Sequence, residues 1–332
     1  MEGWRERFTV IRGRQPRREC WHALNEENSE STFKRGHLKH GVLFYFREYS
    51  SRVEQLAHNR SVPGSNPRIP TNYIFERRKI MYGAIIGDIV GSRFEWMPNK
   101  TKEFELFTSY CTPTDDSVLT VAVAEAIMSD NDFESHLRYW GLRYPNAGYG
   151  GTFLDWLMND FPAYNSYGNG SAMRVSPIGW MYESLEETRK MARMSAEVTH
   201  NHPEGVKGAE SVASAIWMAR NGHSKTQIKN YIQREFGYDL DRKVDDIRKT
   251  YQFDVTCQGS VPEAIICFLE ATDFEDAIRN AVSLGGDSDT QAAIAGSIAE
   301  AYFGIPEDLI KKCRKYLPYD MLKVVNKFYK EI

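Results

Sequence analysis

From Met81 onward, apolar positions recur at helical spacing, separated by short polar breaks. The stretch from Tyr82 to Trp96 is apolar and glycine-rich. Val118 to Met128 is rich in Ala, Val and Leu, and the polar run Thr114-Asp115-Asp116-Ser117 leads into it. Leu185 to Val198 alternates charged and apolar faces. Val206 to Arg220 is Ala-rich and ends near Asn221-Gly222. Ser224 to Phe236 and Pro262 to Glu270 read as further helices, and Phe274 to Ser283, Asp289 to Phe303 and Pro306 to Tyr316 follow in close order. No window carries the alternating β-branched run that marks a strand. The pattern predicts an all-α domain over 81–332, built from about ten or more helices, with no internal repeat.

The first 80 residues lack this period. Gly41-Val42-Leu43-Phe44-Tyr45-Phe46 has the character of a strand but stands among polar, Arg-rich stretches. The segment 61–70 holds three prolines and reads as a linker. Charge breaks at the same place. Residues 1–80 carry 16 Lys and Arg against 9 Glu, a net of +7, while 81–332 carry 26 basic and 36 acidic residues, a net of −10. With little apolar surface to bury, 1–80 is expected to be a basic, poorly ordered N-terminal extension. Its charge admits a nucleic-acid arm, but nucleic acid is the disfavoured partner.

Composition narrows the class further. With 42% hydrophobic and 26% charged residues, the chain is of ordinary globular type. No apolar run approaches the roughly 18 residues of a membrane span, and the charged first residues lack the apolar core of a secretory signal. The five cysteines form no CxxC pair, which speaks against a zinc ribbon or disulfide scaffold and fits a reducing cytoplasm.

Two segments stand out chemically. Thr114-Asp115-Asp116-Ser117 and Gly285-Gly286-Asp287-Ser288-Asp289-Thr290 each open a helix with a hydroxyl and two carboxylates. Capping accounts for one such cluster, because Ser, Thr and Asp satisfy free N–H groups at a helix start. Both clusters, however, carry more carboxylates than a cap needs. Like charges that close repel, and a hard cation relieves them. Oxygen donors without nearby His or Cys favour Mg²⁺ or Mn²⁺ over Zn²⁺. From spacing alone, capping and metal binding both stay open.

Other motifs are weaker one by one. Glycines 83, 87 and 91 share one helix face, which lets a neighbour approach closely, and Glu95 follows just beyond. Tyr167-Gly168-Asn169-Gly170-Ser171-Ala172-Met173-Arg174 is a turn whose N–H groups are able to cradle a phosphate. His200 and His202, two apart, are either metal ligands or part of a helix-connecting loop. The loop from Tyr144 to Thr152 offers Tyr149 as a ring-stacking wall.

In this order, the segments resemble the ADP-ribosylglycohydrolase family, which includes the dinitrogenase-reductase-activating glycohydrolases and the ADP-ribosylhydrolases. The resemblance covers nearly all of 81–332 and none of 1–80. It implies a compact, orthogonal multi-helix fold with two Mg²⁺ (or Mn²⁺) ions held by Thr114, Asp115, Asp116, Asp287, Asp289 and Thr290. It further implies an ADP-ribose site formed by Tyr149, Tyr167, Gly168, Asn169, Gly170, Ser171, Met173, Arg174 and His200. Glu95 matches the catalytic Glu of the serine-directed ADP-ribosylhydrolases. The dinitrogenase-reductase branch uses a middle-loop aspartate as its base, where this chain has Asn146, which cannot act as one. Glu300 stands where many relatives carry Gly, and a packing effect is expected of it.

The expected activity is hydrolysis of the glycosidic bond between ADP-ribose and an acceptor, either a protein side chain or a small ADP-ribose conjugate. A catalytically inactive ADP-ribose-binding or crystallin-like structural protein is the alternative, disfavoured because all six implied ligand positions retain oxygen donors. A metal phosphohydrolase acting on a nucleotide is a third reading.

Overall fold

The computed structural model describes residues 81–332. The expected extension 1–80, with its strand-like segment and its linker, lies outside the described residues. The described chain is helical throughout. It runs α1 (Tyr82–Gly91), α2 (Asp115–Ile127), α3 (Phe133–Arg143), α4 (Gly151–Met158), α5 (Gly170–Met173), α6 (Ser176–Met181), α7 (Leu185–Glu197) and α8 (Pro203–Arg220). It continues with α9 (Lys225–Phe236), α10 (Val244–Thr250), α11 (Cys257–Glu270), α12 (Phe274–Val282), α13 (Ser288–Phe303), α14 (Glu307–Cys313) and α15 (Tyr319–Glu331). One isolated antiparallel bridge pairs Gly168 with Thr256. The all-α class expected from periodicity is the class observed. No described helix is long and apolar enough to cross a membrane.

Side-chain caps fix many of the boundaries. Thr114, Ser184, Ser224, Thr256 and Asp273 each accept a backbone N–H from the first turn of α2, α7, α9, α11 and α12. Thr256 explains why α11 begins five residues before Pro262, which sequence reading took for its start. Periodicity missed α3, α4, α5, α6, α10 and α15. Helices of four to seven residues, such as α5, α6 and α10, show too few turns to reveal a period. In α15, Met321, Val324, Val325 and Phe328 do form a clean buried stripe, flanked by charged residues.

The core is organised around α1 and α13. Every residue of α1 is buried, as are those of α13 from Ser288 to Ala301. A helix buried all round meets neighbours on each side, and its few polar side chains must find partners there. The two run antiparallel with backbones nearly touching. A Cβ on Gly83 would collide with the Gly296 carbonyl, and one on Gly87 with the Ala292 carbonyl. At Gly91 it would lie 2.5 Å from Asp289 Cα.

Two carboxylates tie α1 to its neighbours. Glu300, deep in α13, accepts the N–H groups of Gly83 (2.9 Å) and Tyr82 (3.2 Å) and so caps α1 from outside. Glu300 is therefore an acceptor for free helix donors as well as a packing residue. At the middle of α1, Asp88 reaches across to the start of α2.

Two outcomes follow from this packing. Gly87→Ala should lose about 2 kcal/mol by overpacking, about 4–8 °C in Tm, whereas Gly151→Ala, with open space around it, should leave Tm nearly unchanged; thermal unfolding compares them. Burial pushes the Glu300 carboxyl from its ordinary 4.5 up to about 8. The folded state then holds a proton that the unfolded chain has lost, so stability falls as pH rises from about 4.5 to about 8 and levels off above. Glu300→Gln removes that component, and its Tm-against-pH curve should be flatter than wild type across this window.

Candidate active site

The tip of α2 is held in place by Asp88. This fully buried carboxylate accepts from the Thr114 N–H (3.0 Å), the Thr114 hydroxyl (2.7 Å) and the Ser117 N–H (3.0 Å), and from the Ser117 hydroxyl. Burial raises its pKa to about 6, against the pull of those donors. Asp115 donates its N–H to the Ala147 carbonyl (2.9 Å), anchoring the loop that leads to Tyr149.

The tip of α13 meets this one. Gly285, at φ +66°, turns the chain into the helix. Thr290 then donates its hydroxyl to Asp116 Oδ2 at 3.2 Å, joining residues 174 apart in sequence. Asn169 Nδ2 donates to Asp287 Oδ2 at 2.7 Å. One oxygen each of Glu95, Asp287 and Asp289 lies within 4.8 Å of the others. Helix α1 ends at Gly91, and Glu95 sits in the turn beyond it, facing this cluster.

The electrostatics are those of crowded anions. Burial first, then the charge of Asp289, pushes Asp115 and Asp116 well above the usual carboxylate range. Burial and the neighbouring Asp287 do the same to Asp289. Asp116 Oδ1 is buried and accepts no hydrogen bond. An orphaned acceptor in an oxygen-only donor set fits a hard divalent cation. Among the sequence candidates, Asp115, Asp116, Asp287, Asp289 and Thr290 line the cleft together with Glu95. Thr114 lies behind them, its hydroxyl hydrogen given to Asp88.

The cleft above the cluster has a volume of about 640 Å³. One wall is the Gly168 loop, pinned to the segment before α11 by Asn169 N–H to Val255 O (2.8 Å) and Cys257 N–H to Tyr167 O (2.9 Å). Tyr149, Tyr167, Gly168, Asn169, Gly170, Met173, Arg174 and His200 line the cleft as expected positions. Ser171 turns away and donates to the Gly205 carbonyl (2.7 Å). Arg174 is fully buried and braces the end of α7. His202 is not part of the cleft. Its Nδ1 accepts the Glu204 N–H (3.1 Å) and caps α8, so the loop reading of that histidine holds.

Asp88 and Thr199 stand within sequence motifs that gave them no role of their own, and Trp96 and Phe253 carry no motif signal. A lone carboxylate inside the apolar stretch 82–91 was a usable signal for Asp88, since burial there demands partners. Trp96 and Phe253, stacked at 5.5 Å on the cleft rim, come from irregular segments that carry no period.

The fold and site together define a class of all-α protein that drives five carboxylates into one cleft. Residues 74–332 match the ADP-ribosylglycohydrolase model, and the chain belongs to that family, whose members are hydrolases acting on ADP-ribose linkages. It is 28% identical to the human ADP-ribosylhydrolase ARH3 in an alignment that covers 74% of this chain and 91% of that one. It is 24% identical to the ADP-ribosylarginine hydrolase Tri1 of Pseudomonas putida, over 75% of this chain and 80% of that one. A solved ADP-ribosylglycohydrolase-related protein complex shares the fold, with TM-score 0.61 and 24% identity over 77% of this chain and 97% of that one.

Asp88 gives this arrangement a direct check. Asp88→Ala leaves buried N–H groups of Thr114 and Ser117 without an acceptor and should cost about 3 kcal/mol, about 6–10 °C in Tm. Differential scanning calorimetry measures it, and a Tm within 2 °C of wild type, at most about one third of the expected shift, contradicts the bracing role.

Proposed function

We propose that this protein is a Mg²⁺- or Mn²⁺-dependent ADP-ribosylhydrolase that cleaves the glycosidic bond between ADP-ribose and a protein side chain or small conjugate, releasing ADP-ribose. The observation that carries the reading is the meeting of Glu95 with Asp287 and Asp289 beside Asp116 and Thr290, at the floor of a cleft walled by the Gly168 loop and His200.

In this reading Asp115, Asp116, Asp287, Asp289 and Thr290 hold the cation pair, with Thr114 behind them. When bound, the ions supply positive charge that neutralises the cluster and grips ribose hydroxyls. Asn169 fixes Asp287 by its amide, and Thr290 fixes Asp116 by its hydroxyl, so two of the carboxylates are oriented before any ligand arrives. The Gly168–Gly170 backbone and His200 receive the diphosphate and adjoining ribose, and Tyr149, stacked on Phe153 at 5.2 Å, offers a flat apolar wall.

Glu95 carries the proton. Burial first and the Asp289 charge second raise its carboxyl to about 7, the range in which a group both accepts and returns a proton. It takes a proton from water as the water oxygen bonds to the ribose anomeric carbon. The bond from that carbon to the acceptor breaks, and Glu95 passes the proton it took from the water to the departing acceptor, ending the step as it began. The charge that develops on the ribose in this step is of oxocarbenium type. Asn146 is exposed and outside the cleft, which leaves Glu95 as the acid/base.

Glu95→Gln should lower kcat about 10²–10⁴-fold while ADP-ribose still binds. Chelation should abolish turnover and Mg²⁺ should restore it. The assay uses serine-linked and arginine-linked ADP-ribose and O-acetyl-ADP-ribose, with intact ADP-ribose as the product scored. Full turnover in chelator, or by the Gln variant, sinks the reading; binding without turnover selects the binding protein; and free phosphate selects the phosphohydrolase.

A further inference from the structure

Arg174, Thr199 and His200 form a buried chain of contacts behind the cleft wall. Arg174 is fully buried and is the sole Lys or Arg among the residues lining the cleft. Its Nη2 donates to the Ser195 carbonyl and to Thr199 Oγ1, both at 2.9 Å. Thr199 is fully buried as well, and its Oγ1 lies 2.7 Å from His200 Nδ1.

Hydrogen counting decides the direction of the last bond. A guanidinium only donates, so Arg174 occupies an acceptor position of the Thr199 oxygen. The hydroxyl still has a hydrogen to place. Among the hydrogen bonds of the described residues, His200 Nδ1 is the acceptor within its reach. Were Nδ1 to carry the proton instead, the hydroxyl hydrogen would be left buried and unpaired, which folded proteins avoid. The other ring nitrogen faces the cleft. His200 Nε2 lies 3.0 Å from the position a Cβ would take on Gly170 and 3.6 Å from that on Gly168.

We infer that Thr199 is a positioning residue: braced by Arg174, it fixes His200 as the tautomer protonated on Nε2, so that the imidazole presents an N–H donor to the anionic part of the ligand lying along the Gly168–Gly170 loop. The inference rests on the reading that the cleft takes ADP-ribose. The surroundings act in the same direction. Burial, and then the Arg174 charge, hold the His200 pKa well below its ordinary value, so the ring stays neutral and needs its tautomer set by a neighbour. The remaining ring contact, Tyr164 at 6.1 Å between centroids, is uncharged at neutral pH. A threonine directly before the histidine thus acts through the hydrogen it places, although it does not itself line the cleft.

The test uses the full chain with ¹⁵N-labelled imidazole rings. Long-range ¹H–¹⁵N correlation at pH 7, with the His200 signal identified by its loss in His200→Gln, should show a neutral ring protonated on Nε2. Thr199→Val should blur that preference and weaken binding of ADP-ribose about tenfold, the scale of one lost hydrogen bond to a charged group. In turnover the loss should fall on KM with kcat kept, since the bond is made to bound substrate and transition state alike. Thr199→Ser keeps the hydroxyl and should restore both tautomer and affinity. A wild-type ring protonated on Nδ1, or on both nitrogens, overturns the inference, as does wild-type affinity in the Val variant. Should the Val variant fail to fold, the wild-type and Ser spectra still decide. If wild type binds no ADP-ribose, the functional reading fails separately, because the ligand-free spectrum still reports the tautomer.

Discussion

Backbone contact between α1 and α13 is the constraint on which the rest depends. Glycines 83, 87 and 91 remove every Cβ from one face of α1, and Gly296 and Ala292 answer from α13. Two helices at that separation have little freedom to slide, because each glycine faces a particular carbonyl. The last contact, Gly91 against Asp289, lies at the site itself. It sets the turn that carries Glu95 beside the helix start that carries Asp287 and Asp289.

Around this pair, carboxylates serve two opposite purposes. Glu300 and Asp88 are buried where backbone N–H groups await an acceptor, and each ties one helix start to another element. Asp88 has several donors within reach, whereas Asp116 has an oxygen with none. The distinction is one of satisfaction. A carboxylate fully supplied with donors is structural, while a buried one left short of them, among others of its charge, is able to hold a cation. Helix starts are suited to both purposes, since each offers free N–H groups and the positive end of a dipole.

The opposite wall works by a different means. Short helix α5 and the Gly168 loop are held by two backbone bonds to the segment before α11, and by Cys257 Sγ against the Gly168 carbonyl. This wall is mostly backbone and uncharged rings, and its one cation, Arg174, is kept out of solvent. The cleft thus has a strongly acidic floor and a polar, nearly neutral side.

The chain's own order of residues settled what depends on near neighbours. The helical period, the glycine face of α1 and the two acidic helix starts all arise from interactions within a few positions. Proximity across 174 residues does not arise that way, and neither does the sorting of like residues into unlike roles. Asp88 and Asp116 are both carboxylates within helices, His200 and His202 are two residues apart, and local pattern treats each pair alike. Packing separated them, because burial and available donors are properties of the surroundings a side chain is delivered into, and those surroundings come from distant parts of the chain.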